Sequence, residues 1–524
     1  MRTVNNPKWL RSLIERTKAE GKELWTAFVD LTKAFDLFLR DAAWVKLSEK
    51  GAAGPVFDIT RRIYKEMKTA VRFEGESSAS PFSSMQGVLQ GDPLSPMLWI
   101  LFMSDLSFPD RADDPELCSV PFSHAVHADN TCLVSTSPEG LQARLDQLAR
   151  WCARNGAIPN PGKSKVVGWN RKKRPEGAPD PLFSLNGQSV PLCTEDERYI
   201  GVLFEADEPL RFRGHHQKQA DSARRVAQSV FSLRFHLGQL DPVLFTQHYK
   251  QQVDPLLTWG AEVMADAPET TLKAKMKIQL EFFRRLLGVS PKSSRLGVLG
   301  EVGILPIKER ILSLYVRDLA ATLSLPLLHP AFLALMDSAM LAQQRKRGYY
   351  HNMTRILADY GIALPAVPSA TLFSEQWVED CTKKIKAKVV GDYDAKPYLK
   401  QPQPGLRRSM AKMRLSSHRL AVELGRHAGV DRERRACRIC EDDVEDEEHA
   451  LLRCEGSPYL GHLRSQLVER LSPALRGNRR HLDRALLERL PDVSEPKDVA
   501  AFLFFVHRTL SFFDLAPPLP FLPA

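Results

Sequence analysis

Two aspartates, Asp30 and Asp129, lie where carboxylates from separate strands could hold a pair of divalent cations. Asp30 lies in the alternating segment Trp25–Leu31, which predicts a strand. Asp129 lies at the predicted turn of a hairpin over residues 123–135. Nucleotidyl transfer by two metals needs converging carboxylates, since one Mg²⁺ lowers the pKa of the attacking hydroxyl and the other binds the triphosphate. Taken singly, either aspartate is more often an ordinary strand-end or turn carboxylate.

Three short segments contain and connect these two aspartates. In chain order they are Phe28-Val29-Asp30-Leu31-Thr32-Lys33-Ala34-Phe35-Asp36, Gly87-Val88-Leu89-Gln90-Gly91-Asp92-Pro93-Leu94-Ser95-Pro96 and His127-Ala128-Asp129-Asn130. In that order and at that spacing they resemble motifs A, B and C of the reverse transcriptases of non-LTR retrotransposons. The resemblance implies RNA-templated DNA synthesis, with Mg²⁺ at Asp30 and Asp129 and with an RNA template, a DNA primer and deoxynucleotides as partners.

The same resemblance assigns roles to four further residues. Phe35 falls where the family has an aromatic side chain that abuts the sugar and excludes a 2′-hydroxyl, although it could also be a core aromatic. Gln90 and Gly91 match the loop that approaches the incoming nucleotide, where glycine permits close contact because it has no Cβ. Lys163, in a segment resembling motif D, would protonate the leaving pyrophosphate, or it is simply a solvated surface lysine.

Asn130 departs from the family pattern, because it stands where a second Asp normally helps to hold the metals. A neutral amide is a poorer Mg²⁺ ligand than a carboxylate, so metal affinity and transition-state stabilisation should both fall. Only residues 1–29 precede Asp30, so the fingers are expected to be incomplete and the chain to be N-terminally truncated. We therefore expect polymerase activity to be absent or severely reduced. The alternative is a catalytically dead retroelement remnant that binds nucleic acid and zinc.

A second candidate site lies near the C-terminus, in the pattern Cys437-x2-Cys440-x8-His449-x4-Cys454. This spacing favours a tetrahedral Zn²⁺ site over a chance group of buried residues. Four protein ligands close the coordination shell, so the ion would be structural. The segment also resembles the CCHC zinc knuckle of many non-LTR elements, which implies contact with nucleic acid. Seven of the eight residues between Cys440 and His449 are acidic, so the basic stretch Arg407–Arg435 is the better candidate contact, unless it is only a solvated helix face.

The composition restricts the class of protein. Lys+Arg 73 against Asp+Glu 63 gives a net charge of +10, which is compatible with a polyanionic partner without requiring one. No apolar run approaches the roughly 18 residues of a membrane span, and no secretory signal is visible. Eight cysteines are few for this length, so a reducing, intracellular compartment is expected. A nuclear location is implied only by the family resemblance.

These patterns predict an α+β architecture in which a helical half follows a mixed half. Strands and helices alternate to about residue 205, with a helix predicted over Lys33–Lys50 and a linker over Lys396–Gly405. By resemblance the chain is a right-hand polymerase palm with partial fingers, followed by a helical thumb and a helical C-terminal region that contains the zinc module. The predicted domains are 1–205 (palm with remnant fingers), 206–290 (thumb), 291–430 (helical connection), 431–458 (zinc knuckle) and 459–524 (helical tail).

Overall fold

The computed structural model describes most of the chain. The described residues are 5–70, 72–73, 76–77, 80–84, 86–89, 91–172, 179–205, 210–233, 241–389, 395–477, 479–490, 493 and 495–519. Two compact units interleave along the sequence. The first comprises residues 1–212, 262–266 and 318–374, and the second comprises residues 213–261, 267–317 and 375–524.

The strands of the described chain all lie in the first unit. They are β1 (Leu24–Val29), β2 (Lys68–Thr69), β3 (Arg72–Phe73), β4 (Glu76–Ser77), β5 (Phe82–Ser83), β6 (Glu116–Leu117), β7 (Val120–Pro121), β8 (His124–His127), β9 (Asn130–Ser135), β10 (Lys165–Trp169), β11 (Phe183–Leu185), β12 (Gln188–Val190), β13 (Glu197–Tyr199) and β14 (Val202–Phe204). The main sheet is antiparallel with the order β10-β1-β9-β8, and the remaining strands form two-stranded ribbons. The predicted hairpin over residues 123–135 is confirmed as β8 and β9.

Helices dominate the rest of the chain. They are α1 (Asn5–Ala19), α2 (Arg40–Glu49), α3 (Pro55–Glu66), α4 (Leu94–Met103), α5 (Pro138–Asn155), α6 (Arg213–Ser232), α7 (Pro242–His248), α8 (Asp254–Thr258), α9 (Glu269–Leu287), α10 (Arg295–Val302), α11 (Ile307–Leu323), α12 (Pro330–Gln343), α13 (Tyr349–Ala358), α14 (Glu375–Lys388), α15 (Pro404–Arg414), α16 (Ala421–His427), α17 (Pro458–Arg470), α18 (Pro473–Arg476), α19 (Arg484–Arg489) and α20 (Pro496–Asp514). Short 3₁₀ or π turns occupy Tyr249–Val253, Ala261–Val263, Ala370–Leu372, Pro397–Lys400, Arg432–Arg434 and His449–Arg453. None of these helices, as far as the chain is described, is long and apolar enough to cross a membrane.

The main sheet is buried on both faces, which fixes the strand register. Trp25, Ala27 and Val29 of β1 share one apolar cluster with Leu141 and other residues of α5. Residues of the opposite face, such as Leu24 and Val134, share a second cluster with Trp9 of α1. A one-residue shift of the register would move every side chain of β1 to the opposite face of the sheet. Because both faces are buried, the alternating pattern fixes the position at which β1 ends.

Two predicted elements differ from the structure. The helix predicted over Lys33–Lys50 begins only at Arg40, because residues 32–36 form turns in which Lys33 takes a positive φ of 44°. The segment Lys396–Gly405 is not an open linker, since it contains a 3₁₀ turn with Tyr398 and Leu399 buried and the first residues of α15. In both cases local composition was a poor guide because tertiary contacts determine the backbone.

Candidate active site and zinc centre

The edge of the main sheet brings the two predicted carboxylate positions together. Val29 pairs with Thr131 across β1 and β9, and His127 pairs with Asn130 across β8 and β9. Asp30 directly follows Val29, and Asp129 directly precedes Asn130, so both aspartates leave the sheet at the same end of neighbouring strands. Both are half-buried, whereas Asn130 is exposed. This arrangement is suited to a shared divalent cation.

A tryptophan side chain donates a hydrogen bond to the hairpin turn that carries Asp129. Ala128 takes a positive φ of 53°, and its carbonyl oxygen accepts a hydrogen bond of 2.6 Å from Nε1 of Trp99, a buried residue of α4. The Nδ2 atom of Asn130 lies 3.4 Å from Oδ1 of Asp129, to which it donates. Within the described residues, no third His, Cys, Asp or Glu joins these positions to form a larger metal-binding group. Asp30 and Asp129 therefore form a pair of carboxylates at most among the described residues.

Asp30 is also fixed from its other side by the segment that resembles motif D. Its backbone N–H donates to Oγ of Ser164 at 3.2 Å, and that hydroxyl donates to the carbonyl of Asn160 at 2.7 Å. The N–H of Asn160 donates in turn to the carbonyl of Asp30 at 2.9 Å. Ser164 is fully buried, whereas the neighbouring Lys163 is exposed. Sequence reasoning missed Ser164, because a serine beside a lysine gives no signal of a contact 134 residues away.

Gly87 joins the loops of motifs A and B. Its N–H donates to the carbonyl of Phe38, and the N–H of Val88 donates to that of Phe35. A Cβ on Gly87 would lie 2.7 Å from the carbonyl oxygen of Asp36, and the residue has a φ of +83°. Only glycine fits both requirements. Phe35 itself is half-buried and packs against Trp99, with ring centroids 5.5 Å apart, so its core role and its predicted place at the sugar are compatible.

Arg40 donates hydrogen bonds to the backbone at the start of motif B. Its buried guanidinium donates to the carbonyl oxygens of Tyr64, Gln86 and Gly87 at 2.7–3.0 Å. Burial lowers the pKa of Arg40, because desolvation disfavours the charged guanidinium. The hydroxyl of Tyr64 donates to the carboxylate of Asp92 at 2.9 Å and so holds the next part of the loop. These contacts could not be predicted from the sequence, because a lone arginine has no spacing signature.

The predicted nucleotide-binding pair is only partly visible. Gln90 lies outside the described residues. Gly91 is exposed, has a φ of +89°, and would accept a Cβ without any heavy atom within 4 Å. The side of Gly91 on which a Cβ would stand is therefore open space.

The four predicted zinc ligands converge. The donor atoms of Cys437, Cys440, His449 and Cys454 all lie within 4.8 Å of one another. The Sγ atoms of Cys437 and Cys454 are 3.8 Å apart, and Sγ of Cys440 lies 3.3 Å from Nε2 of His449. Burial raises the pKa of the Cys437 thiol to about 12. A thiolate there needs a cation beside it, and a Cys3His donor set is a typical structural Zn²⁺ shell.

The surroundings of the cluster set the ligand geometry. The N–H of Cys437 donates to the carbonyl of Asp443 at 2.7 Å, which closes the first turn. A Cβ on Gly456 would lie 2.7 Å from the carbonyl oxygen of Ile439, so this glycine allows the two chain segments to pack. Nδ1 of His449 lies 3.5 Å from the Asp443 carboxylate, which leaves Nε2 facing the cysteines.

The acidic loop between Cys440 and His449 makes contacts inside the protein. Glu445 is fully buried and accepts hydrogen bonds from the guanidinium of Arg438, the backbone N–H of Arg438 and the backbone N–H of Ala421. Glu447 accepts a hydrogen bond from His418 at 2.7 Å, and this contact lowers the pKa of the Glu447 carboxyl despite its burial. The loop therefore stabilises the zinc module.

The basic stretch Arg407–Arg435 makes more contacts inside the protein than its composition indicates. Several of its arginines contact carboxylates or carbonyl groups of the second unit. These pairs are Arg407 with Pro402, Arg414 with Glu301, Arg426 with Glu423, Arg432 with Asp446, and Arg435 with Val422. Arg408 and Arg419 are exposed, and within the described chain neither has an acidic partner at ion-pair distance. Any phosphate contact by this stretch depends on such exposed positions.

A known protein family matches the first part of the chain, and several known proteins are similar to the chain. A family model described as reverse transcriptase (RNA-dependent DNA polymerase) matches residues 3–214. The chain is 28% identical over 210 residues to a retrovirus-related Pol polyprotein from type-1 retrotransposable element R2 of Bradysia coprophila, covering 39% of this chain and 24% of the relative. It is 25% identical over 290 residues to a probable RNA-directed DNA polymerase from transposon BS of Drosophila melanogaster, covering 51% and 29%. A probable RNA-directed DNA polymerase from transposon X-element of the same fly is 25% identical over 283 residues, covering 52% and 29%. The chain thus spans between 24% and 29% of the length of these relatives.

Proposed function

We propose that this chain, whose residues 3–214 are a reverse transcriptase domain of the non-LTR retrotransposon type, is an RNA-directed DNA polymerase with a weakened metal site. One observation carries the proposal. The strand register brings Asp30 and Asp129 to the same end of the main sheet, where β1 ends and the turn between β8 and β9 lies. Primer, template and deoxynucleotide are the substrates that such a domain would use.

The roles of the chain's own residues follow from their positions. Asp30 and Asp129 would hold divalent ions, and the chemistry that Mg²⁺ supplies there is activation of a primer hydroxyl and neutralisation of a triphosphate. Phe35 would border the sugar, and the open backbone at Gly91 would approach the nucleotide. Lys163, exposed beside the Ser164 contact to Asp30, would donate a proton to the leaving pyrophosphate.

Asn130 sets the expected strength of the site. It contributes an amide where a third carboxylate would complete the group, so the site carries one negative charge fewer. Its Nδ2 donor faces Oδ1 of Asp129, where it competes with a metal for that oxygen. Removing one preorganised electrostatic group from a catalytic site slows the reaction by about 10²–10³-fold. We expect a polymerase that is slow and that needs high Mg²⁺ concentrations.

The finer architecture is part of the same proposal. The sheet with α1 and α5 would be the palm, α6 to α9 the helical thumb, and the Cys3His module a zinc knuckle. Zn²⁺ would hold that small module together, because it has little apolar core of its own.

Primer extension on a polyriboadenylate template with an oligothymidylate primer tests the proposal. The native protein should extend slowly, Asp30→Ala should not extend, and Asn130→Asp should extend faster than the native protein. If none of the three proteins extends, the polymerase proposal is wrong, and binding of RNA and zinc becomes the function to test.

A further inference from the structure

An arginine-lined cleft lies within the second unit, away from the carboxylate edge of the sheet. Residues of α6, α7, α9 and α15 and of the 3₁₀ turn at residues 397–400 enclose it, and its volume is about 500 Å³ including the part open to solvent. Three apolar residues of its wall, Phe231, Leu287 and Leu399, are exposed by 4% or less, so the surface that a ligand meets in the cleft is mainly polar. Its rim carries two exposed arginines, Arg285 and Arg408.

The first rim arginine is oriented by an aromatic ring. The guanidinium carbon of Arg285 lies 4.3 Å from the ring centroid of Phe231. Stacking on a ring face holds the guanidinium plane in place and leaves its N–H groups available at the edge. In the described part of the chain, no carboxylate lies at ion-pair distance from Arg285. Its charge is therefore positioned without being neutralised.

The second rim arginine lies over a helix end. A Cβ built on Gly288 would lie 3.5 Å from Cδ and Nε of Arg408, so the side chain of Arg408 passes across the C-terminal turn of α9. Gly288 ends that helix with a φ of +68°. The negative end of the helix dipole favours a cation there. As with Arg285, no described carboxylate lies at ion-pair distance from Arg408.

The third arginine of the cleft is structural. Arg407 is buried and donates to the carbonyl oxygen of Pro402 at 3.1 Å, which fixes the start of α15. Burial lowers the pKa of Arg407, and the nearby Asp241 opposes that effect. Asp241 itself is engaged in capping α7, since its Oδ1 accepts from the N–H groups of Val243 and Leu244. The cleft as a whole keeps an excess of positive charge.

We propose that the cleft between α9 and α15 binds a phosphodiester group of an RNA strand through Arg285 and Arg408. Two guanidinium groups in one mainly polar cleft match a phosphodiester group, because each can donate paired hydrogen bonds to phosphate oxygens. An isolated carboxylate would be matched by one arginine, whereas a phosphodiester chain can engage both. The choice of RNA rests on the proposed function, because an RNA template is the polyanion that the reverse transcriptase domain would carry.

The test measures binding of the full chain to a fluorescein-labelled oligouridylate by anisotropy, without Mg²⁺ or nucleotides. Arg285→Gln and Arg408→Gln are combined, and the matched control is Arg489→Gln, an exposed arginine of α19 that does not line the cleft. The double variant should bind about tenfold more weakly, and its plot of log K against log salt should be shallower by roughly 1.4, or 0.7 for each lost contact on a single strand. The control should match the native protein in affinity and slope apart from a small uniform charge effect.

Three results would overturn the proposal. The double variant could bind like Arg489→Gln, its salt slope could stay unchanged, or polyglutamate of equal charge could compete as well as the unlabelled oligouridylate. Circular dichroism of the double variant controls for folding, and Arg285→Lys with Arg408→Lys should recover part of the affinity if charge is the cause. RNA binding is measured without Mg²⁺ or nucleotides and primer extension is measured separately, so failure of the cleft and failure of the polymerase proposal give different results.

Discussion

Gly87→Ala should destabilise the first unit far more than Gly91→Ala, although both glycines belong to motif B and both have positive φ values. The added methyl at Gly87 would lie 2.7 Å from the carbonyl oxygen of Asp36 and 3.1 Å from that of Phe35, and both are backbone atoms that a rotamer change cannot move. At Gly91 the same methyl would meet nothing within 4 Å. The pair therefore separates the cost of conformation from the cost of contact.

The magnitudes follow from those two costs. A left-handed backbone costs an L-residue about 1–2 kcal/mol, and this applies to both variants. Overpacking against fixed atoms costs about 1–3 kcal/mol more, and this applies to Gly87→Ala alone. We expect Gly87→Ala to lose roughly 2–5 kcal/mol of unfolding free energy and Gly91→Ala roughly 1–2 kcal/mol.

Urea unfolding followed by tryptophan fluorescence measures this difference. Six of the eight tryptophans (Trp9, Trp25, Trp44, Trp99, Trp151 and Trp169) lie in the first unit, so the signal reports mainly on it. Gly87→Ala should unfold at clearly lower urea than Gly91→Ala. Equal midpoints for the two variants would refute the contact between motifs A and B, and with it the argument that Gly87 positions the turn after Asp30.

Two further predictions concern the second unit. Burial lowers the pKa of Lys275 to about 7, so between pH 7 and 10.5 the unfolded chain binds a proton that the folded chain lacks. The free energy of unfolding should therefore rise with pH in this range, by at most about 1.4 kcal/mol per pH unit. Lys275→Met should flatten the dependence of the melting temperature on pH. If the melting temperature of Lys275→Met depends on pH as steeply as that of the native protein, this reasoning is wrong. The purified chain should hold one equivalent of Zn²⁺ by metal analysis and lose it on Cys454→Ser but not on Cys193→Ser, whose cysteine lies outside the cluster; equal zinc in both variants would exclude the Cys3His site.

The sequence predicted those parts of the site that depend on local patterns. The alternation in Trp25–Leu31 and the turn residues at 128–130 are local signals, and both elements form as expected, with β1 over Leu24–Val29. The convergence of the zinc ligands followed from their spacing, because a Cys-x2-Cys pair limits where the other two ligands can lie.

The remainder depends on contacts between distant segments. The turns at residues 32–36 replace the expected helix because the loop of Gly87 hydrogen-bonds to the carbonyls of Phe35 and Phe38. Ser164 and Arg40 could not be identified, since each acts through partners that are remote in sequence. The arginines of the basic stretch were expected to be available to nucleic acid because their acidic partners, such as Glu301 and Asp446, lie outside the stretch.

The most direct test of the account is the Mg²⁺ dependence of primer extension by Asn130→Asp, compared with the native protein and with Asp30→Asn on the Asn130→Asp background. If Asp30 and Asp129 share a metal site that Asn130 weakens, Asn130→Asp should extend about 10²–10³-fold faster and saturate at lower Mg²⁺, and adding Asp30→Asn should abolish the gain. An Asn130→Asp protein no faster than the native chain, or a gain that survives Asp30→Asn, would contradict the account.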